Sequence, residues 1–166
     1  MGGGAGTDDS HLVMSGRGAS GPSFISFSQS LDSGATWSPS FSIAAVTSPG
    51  CQAPIAGVRA LPAVLTQGGG AGAIITSPSG PGRSHLAAYV ASAAANFSDW
   101  RLLGRLSDGY AGYSSLLREN GAARDGGGGG DDGGGAESFL VLWEDCDVHV
   151  GSKLGMGLWL THFALG

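Results

Sequence analysis

A chain of 166 residues is long enough to bury one core, and 42% hydrophobic against 13% charged residues is a globular rather than a disordered composition. The net charge of −5, from 8 Lys and Arg against 13 Asp and Glu, comes with no basic run, which argues against a nucleic-acid partner. No apolar stretch reaches the roughly 18 residues of a membrane-spanning helix, and residues 1–10 lack the basic start and apolar run of a signal peptide.

The 32 glycines are unevenly placed, with runs at residues 2–4, 68–70, 126–130 and 133–135. Such runs lose too much backbone entropy on ordering to form elements. The expectation is therefore a flexible Gly-rich segment over 1–10, one domain over 11–166, and within it a disordered Gly/Asp loop at 121–136. Cys51 and Cys146 are too few for a disulfide framework, although the two could pair. His11, His85, His149 and His162 are scattered, with no metal-ligand spacing.

Taken in chain order, short apolar segments recur between Gly, Pro, Ser and Asp. They are His11–Ser15, Pro22–Ser28, Ser40–Val46, Ala71–Thr76, Leu86–Ser92, Trp100–Leu106, Ser114–Leu117, Phe139–Glu144 and Met156–Ala164. No window sustains the 3.6-residue period of an amphipathic helix. Strand-length segments with turn residues between them predict an all-β fold of meandering antiparallel sheets. At about 40–50 residues per four-stranded blade, the length suits three to four blades of a propeller. A sandwich is the other architecture that periodicity allows.

Ser30-Leu31-Asp32-Ser33-Gly34-Ala35-Thr36-Trp37 follows a strand-like Phe24–Ser28. In this turn Ser30 and Asp32 can bond turn amides, Gly34 can take positive φ, and Trp37 can pack beneath. The segment resembles the Asp-box, Ser-x-Asp-x-Gly-x-Thr-Trp, found on blades of sialidases and other propellers. Its role there is structural, so Asp32 is not read as a catalytic acid. A worn second copy is expected at Ser92–Trp100, where Ser98 and Trp100 keep the end of the pattern. Asn96-Phe97-Ser98 is also a glycosylation sequon.

Pro81-Gly82-Arg83-Ser84-His85-Leu86 opens one apolar segment, Gly112-Tyr113-Ser114-Ser115-Leu116-Leu117 opens another, and Phe139–Trp143 ends in Glu144. That order resembles the C-terminal third of exo-α-sialidases, closest to the animal lysosomal type, and the likeness runs loosely from residue 11 to the end. It implies a partial β-propeller of a six-bladed parent fold. It also implies that Tyr113 is the nucleophile of a retaining mechanism, that Arg83 is one of three arginines clamping the substrate carboxylate, and that Glu144 buttresses another of them. The substrates implied are terminal sialic acids of glycoproteins, glycolipids and oligosaccharides, processed without metal or organic cofactor in a lysosomal, extracellular or membrane-associated setting. Sialic acid carries a carboxylate on its anomeric carbon. A neutral phenol avoids the repulsion a carboxylate nucleophile would meet there, and arginine supplies planar donors for the anion.

The family pattern is incomplete. The acid/base aspartate and the first arginine have no counterpart, and the acidic residue expected before Cys51-Gln52 is Gly50. Arg59 is a weakly placed candidate for the second arginine. These gaps lead to the expectation that the chain is part of a larger enzyme and inactive alone. The alternatives are a degenerate homologue and a non-catalytic Asp-box module that binds glycan or protein.

Overall fold

The computed structural model describes residues 11–17, 24–65, 69–119, 137–150 and 153–165, with the side chains of 146–150 and 153–156 left out of the description. Both segments expected to lack order, 1–10 and 121–136, lie outside the described residues. The described chain is all-β. Ten strands run in order: β1 (Leu12–Arg17), β2 (Phe24–Ser30), β3 (Phe41–Thr47), β4 (Ile55–Leu61), β5 (Gly70–Gly80), β6 (Ser84–Ser92), β7 (Arg101–Arg105), β8 (Ser114–Glu119), β9 (Glu137–Val150) and β10 (Lys153–Leu165). They form three antiparallel meanders, β1-β2-β3, β4-β5-β6-β7 and β10-β9-β8, none of them closed.

The middle sheet explains the layering. β5 is buried without interruption from Gly72 to Pro78, and β6 from Leu86 to Ser92. Strands buried on both faces read as continuous apolar or small runs rather than alternations. Side chains alternate along each strand, so Ala73, Ile75, Ala87, Tyr89 and Ala91 join one core, where they meet Ile25, Phe27 and Val46 of the first sheet. Ile74, Ala88 and Val90 join a second core with Phe139 and Leu165 of the last sheet, and a third cluster beside it holds Leu86, Ala111, Val141 and Trp143. The four-stranded sheet thus has a neighbour on each face.

A small residue also lets the strands of the middle sheet lie close to one another. A Cβ on Gly72 would stand 2.2 Å from the Leu61 side chain and 2.4 Å from the Ala91 carbonyl oxygen. On the first-sheet side, Phe27 stacks on Trp100 with ring centroids 5.2 Å apart. Polar ties join the layers at their edges. Ser15 Oγ donates to the Ala53 carbonyl at 2.7 Å, and Gln29 Nε2 donates to that of Asn96, the exposed sequon residue.

One strand runs where the apolar pattern predicts none. β4 reads Ile-Ala-Gly-Val-Arg-Ala-Leu, whose large apolar residues fall three apart, and the register with β5 shifts between Val58 and Leu61. A bulge puts two residues against one, which erases the period of two by which a strand is recognised. Cys51 is a buried free thiol.

Phe27 is 1% exposed at the join of the first two sheets. Phe27→Ala is expected to cost about 3–5 kcal/mol, read from urea unfolding at constant m-value. A loss below about 1 kcal/mol would mean that the first sheet is not packed on the second.

Candidate functional site

The turn after β2 is wired by its own side chains. Ser30 Oγ donates to Asp32 Oδ1 at 2.7 Å and accepts from the Gly34 amide at 2.7 Å. Asp32 accepts from the Thr36 amide at 2.8 Å and from the Thr36 hydroxyl at 2.6 Å. Gly34 has φ 92°, and Trp37 Nε1 donates to its carbonyl at 3.1 Å. Trp37 still leaves 42% of its surface exposed, so it braces the turn from the side and is not a core residue. The Thr36 hydroxyl and amide, then Ser30, hold the Asp32 carboxyl down to about 2.

The second turn, Ser92–Trp100, has different wiring. Here the carboxylate comes from the far end: Asp99 accepts from the Ser92 amide at 2.8 Å and from the Ser92 hydroxyl at 3.0 Å. Ser98 Oγ donates to the Ala95 carbonyl, and Trp100 is buried. Serine before and aspartate after do the work that aspartate before and threonine after do in the first turn. Asp99 therefore carries the turn, not the Ser98 that sequence comparison picks out.

Tyr113 is held at the entry to β8. Ser114 pairs with Trp143, and the ladder continues outward: the Gly112 amide donates to the Glu144 carbonyl at 2.9 Å and the Glu144 amide to the Tyr113 carbonyl at 3.0 Å. Glu144 Oε2 accepts from the Tyr113 amide at 3.4 Å. A Cβ on Gly112 would lie 2.8 Å from that carboxylate oxygen and 3.3 Å from a Tyr110 ring carbon, so a larger residue here would have to push the Glu144 carboxylate aside. Behind the tyrosine, Thr76 and Ser114 share a buried hydroxyl contact of 3.1 Å that ties β8 to the middle sheet. Tyr113 is 40% exposed.

Arg83 lies in the β5–β6 turn with φ 63°, and its guanidinium carbon stands 5.3 Å from the centroid of the Tyr113 ring. A hydrogen bond to Tyr110, followed by the Cys51 thiol, pushes its pKa above the usual arginine value. Tyr113 also lines an open groove of about 580 Å³ together with Arg17, Gln52, Pro54 and Ile55. Arg17 Nε donates to the Gly50 carbonyl. Burial pushes the Cys51 thiol up, Arg83 and Arg17 pull it back in part, and Glu144 pushes it up again.

Arg83 stands over the Tyr113 ring and Glu144 bonds the Tyr113 amide, while Arg59 lies elsewhere on β4. Its amide bonds Glu137 Oε1 at 2.6 Å, four residues along β4 from the groove residue Ile55. Arg17 and Tyr110, which motif reading passes over, are the neighbours the fold supplies. Arg17 could have been noticed as a lone cation at the end of the first apolar segment. Nothing in the sequence marks Tyr110. Gly50 faces open space at its Cα, with φ 80°. Glu144 bonds the Tyr113 backbone, and no arginine pairs with it among the described residues. No cluster of three or more metal-ligating side chains occurs among the described residues, and no helix there is long and apolar enough to cross a membrane.

No protein-family model matches this sequence, and no curated protein matches it.

The Asp32 carboxyl sits below its ordinary value, so the folded form prefers the charged state. Its contribution to stability is complete above pH 3.8 and is lost as pH falls toward about 2. Thermal melts between pH 5 and about pH 2 are expected to fall more steeply for the natural chain than for Asp32→Asn, which lacks that titration. Parallel curves would show that the turn carboxylate is uncoupled from folding.

Proposed function

We propose that the groove at Tyr113 is the carboxylate-binding end of a sialidase-type site on a partial β-propeller, acting on terminal α-linked sialic acids. The observation that carries this reading is one exposed phenol with the Arg83 guanidinium over its ring and Arg17 lining the same groove. Two fixed cations next to a neutral nucleophile suit a substrate whose anion sits on the carbon under attack. The three meandering sheets and the Ser30–Trp37 turn agree with a run of propeller blades bearing an Asp-box, and this is the finer architecture we propose.

In this reading Arg83 and Arg17 hold the sialic acid carboxylate, Tyr113 Oη attacks the anomeric carbon, and Glu144 fixes the Tyr113 backbone. Arg17 replaces Arg59 as the second arginine of the proposed clamp. The role of general acid is assigned to no residue of this chain. Turnover of substrates whose leaving group needs a proton is therefore expected to be negligible.

A substrate with a leaving group that needs no proton isolates the attacking step. With a sialosyl fluoride bearing a second fluorine at C3, the Tyr113 oxygen bonds to C2, the C2–F bond breaks, fluoride departs and the phenol proton passes to solvent. The expected result is a mass gain of one fluorosialosyl unit on the Tyr113 peptide, absent in Tyr113→Phe. Arg83→Ala and Arg17→Ala should each slow the labelling more than about tenfold, as loss of a charged hydrogen-bond partner does.

The rival reading is a non-catalytic module that binds sialosides. It is favoured by Gly50, which offers a carbonyl to Arg17 at the place where the family carries an acidic residue. That reading predicts sialoside binding with no label on Tyr113. Absence of both binding and label would remove the sialic-acid reading altogether.

A further inference from the structure

We propose that the outer face of the last sheet, β8-β9-β10, is a self-docking surface, on which a second copy of this chain lays the same face in a two-fold dimer. None of its leucines lines the Tyr113 groove, so the proposal stands apart from the function proposed above.

The register of the sheet gathers five leucines into one patch. Leu117 of β8 stands opposite Leu140 of β9, Leu142 stands opposite Leu160 of β10 in the next row, and Leu158 follows one row further along β10. Side chains alternate along a strand, so these five share one face while Phe139, Val141 and Trp143 point the other way into the cores. Leu140 is half-buried, and the other four are between 42% and 70% exposed. An antiparallel sheet with one face on the core ordinarily turns polar residues to water on the other. This sheet turns leucine. The four exposed leucines leave on the order of 400 Å² of apolar surface open, the size at which a contiguous patch marks an interaction site. With the exposed rim residues Ser115 and Ala164 the face approaches the roughly 600 Å² that each partner gives to the smallest stable interfaces.

Two observations select the occupant. The segments outside the described residues, 1–10, 18–23, 66–68, 120–136, 151–152 and 166, hold Met1 and no other large apolar residue, so none of them can cover five leucines. The carboxylates at the two ends of the patch are also bonded within the copy. Glu119 Oε2 accepts from Ser138 Oγ at 2.7 Å and pairs with His162 Nε2 at 2.9 Å, and Glu144 is turned to the Tyr113 amide. A charged peptide or a nucleic acid finds no counter-charge at the leucines, and two copies bring no free charges together there. An isologous dimer needs one self-complementary patch and no second surface. Packing of apolar sheet faces is also what the chain already uses on both sides of its middle sheet.

The test is sedimentation of the whole 166-residue chain over about 1–200 µM. The expected result is a concentration-dependent rise from one chain to two that stops at two, with a dissociation constant in the micromolar range, as an interface at the lower size limit gives. Leu160→Lys is expected to weaken association more than about 100-fold, because it buries an unpaired cation in the contact. Its unfolding as a dilute monomer should match the natural chain, since Leu160 is exposed there. Leu117→Lys, on β8, gives the same reading should Leu160→Lys not fold. Met14→Lys, at an exposed position of the first sheet, is expected to leave the dimer intact. A chain that stays monomeric over the whole range overturns the proposal, and so does a dimer that survives both leucine substitutions. Loss of the dimer in Met14→Lys overturns it too, as does growth past two chains, the sign of head-to-tail stacking or of edge pairing along β10.

Discussion

Burial of the central sheet on both faces is the constraint on which the rest of this chain depends. A strand covered on two sides can expose neither its backbone nor its side chains to water, so every position of β5 and β6 must be apolar, small, or bonded. Ala73, Ala87, Ala88 and Ala91 meet that demand by size, and Gly72 meets it by having no side chain at all. Thr76 and Ser77 meet it with hydroxyls bonded to Ser114 and to the Thr47 carbonyl. The outer sheets are then held by whatever each inner face offers, Phe27 against Trp100 on one side and Phe139 with Val141 on the other.

The same constraint builds the candidate site. Strands β5 and β6 cannot end inside the stack, so their connecting turn emerges at the rim and carries Arg83 with it. β1 comes to the same rim from the first sheet and brings Arg17, and the segment before β8 brings Tyr110 and Tyr113. Three sheets thus each contribute to a cluster that none of them contains. Burial pushes the Cys51 thiol up, with Arg83 and Arg17 opposing that rise from two different sheets. Such convergence of loop residues on a rigid scaffold is where binding sites are usually found.

Turn chemistry was readable where a motif is compact. Ser30, Asp32, Gly34 and Thr36 bond within eight residues of one another, so local sequence contains all the partners. The Ser92–Trp100 turn was legible only in outline, because its carboxylate reaches back from Asp99 across seven residues to Ser92. Of the site, Tyr113, Arg83 and Glu144 could be picked out by their order beside strands. Tyr110 could not, and Arg17 shows in sequence only as a lone cation, since its hydrogen bond to Gly50 and its place beside Tyr113 are long-range.

Composition and strand-length apolar runs determined by themselves that this chain is built of β-strands joined by short turns, and that one of those turns is closed by Asp32. Both properties rest on interactions between residues close in sequence. Tertiary structure alone decided that β4 is a strand despite its three-residue apolar spacing, because a bulge against β5 absorbs the mismatch. It alone decided that Arg17, and not Arg59, shares a groove with Tyr113. Pairing of β1 with β2 sets Arg17 opposite Ile25 at the rim, while β4 carries Arg59 away toward Glu137. Sheet register and layer order are long-range choices, made by which faces find a partner to bury against, and no window of sequence contains both sides of that choice.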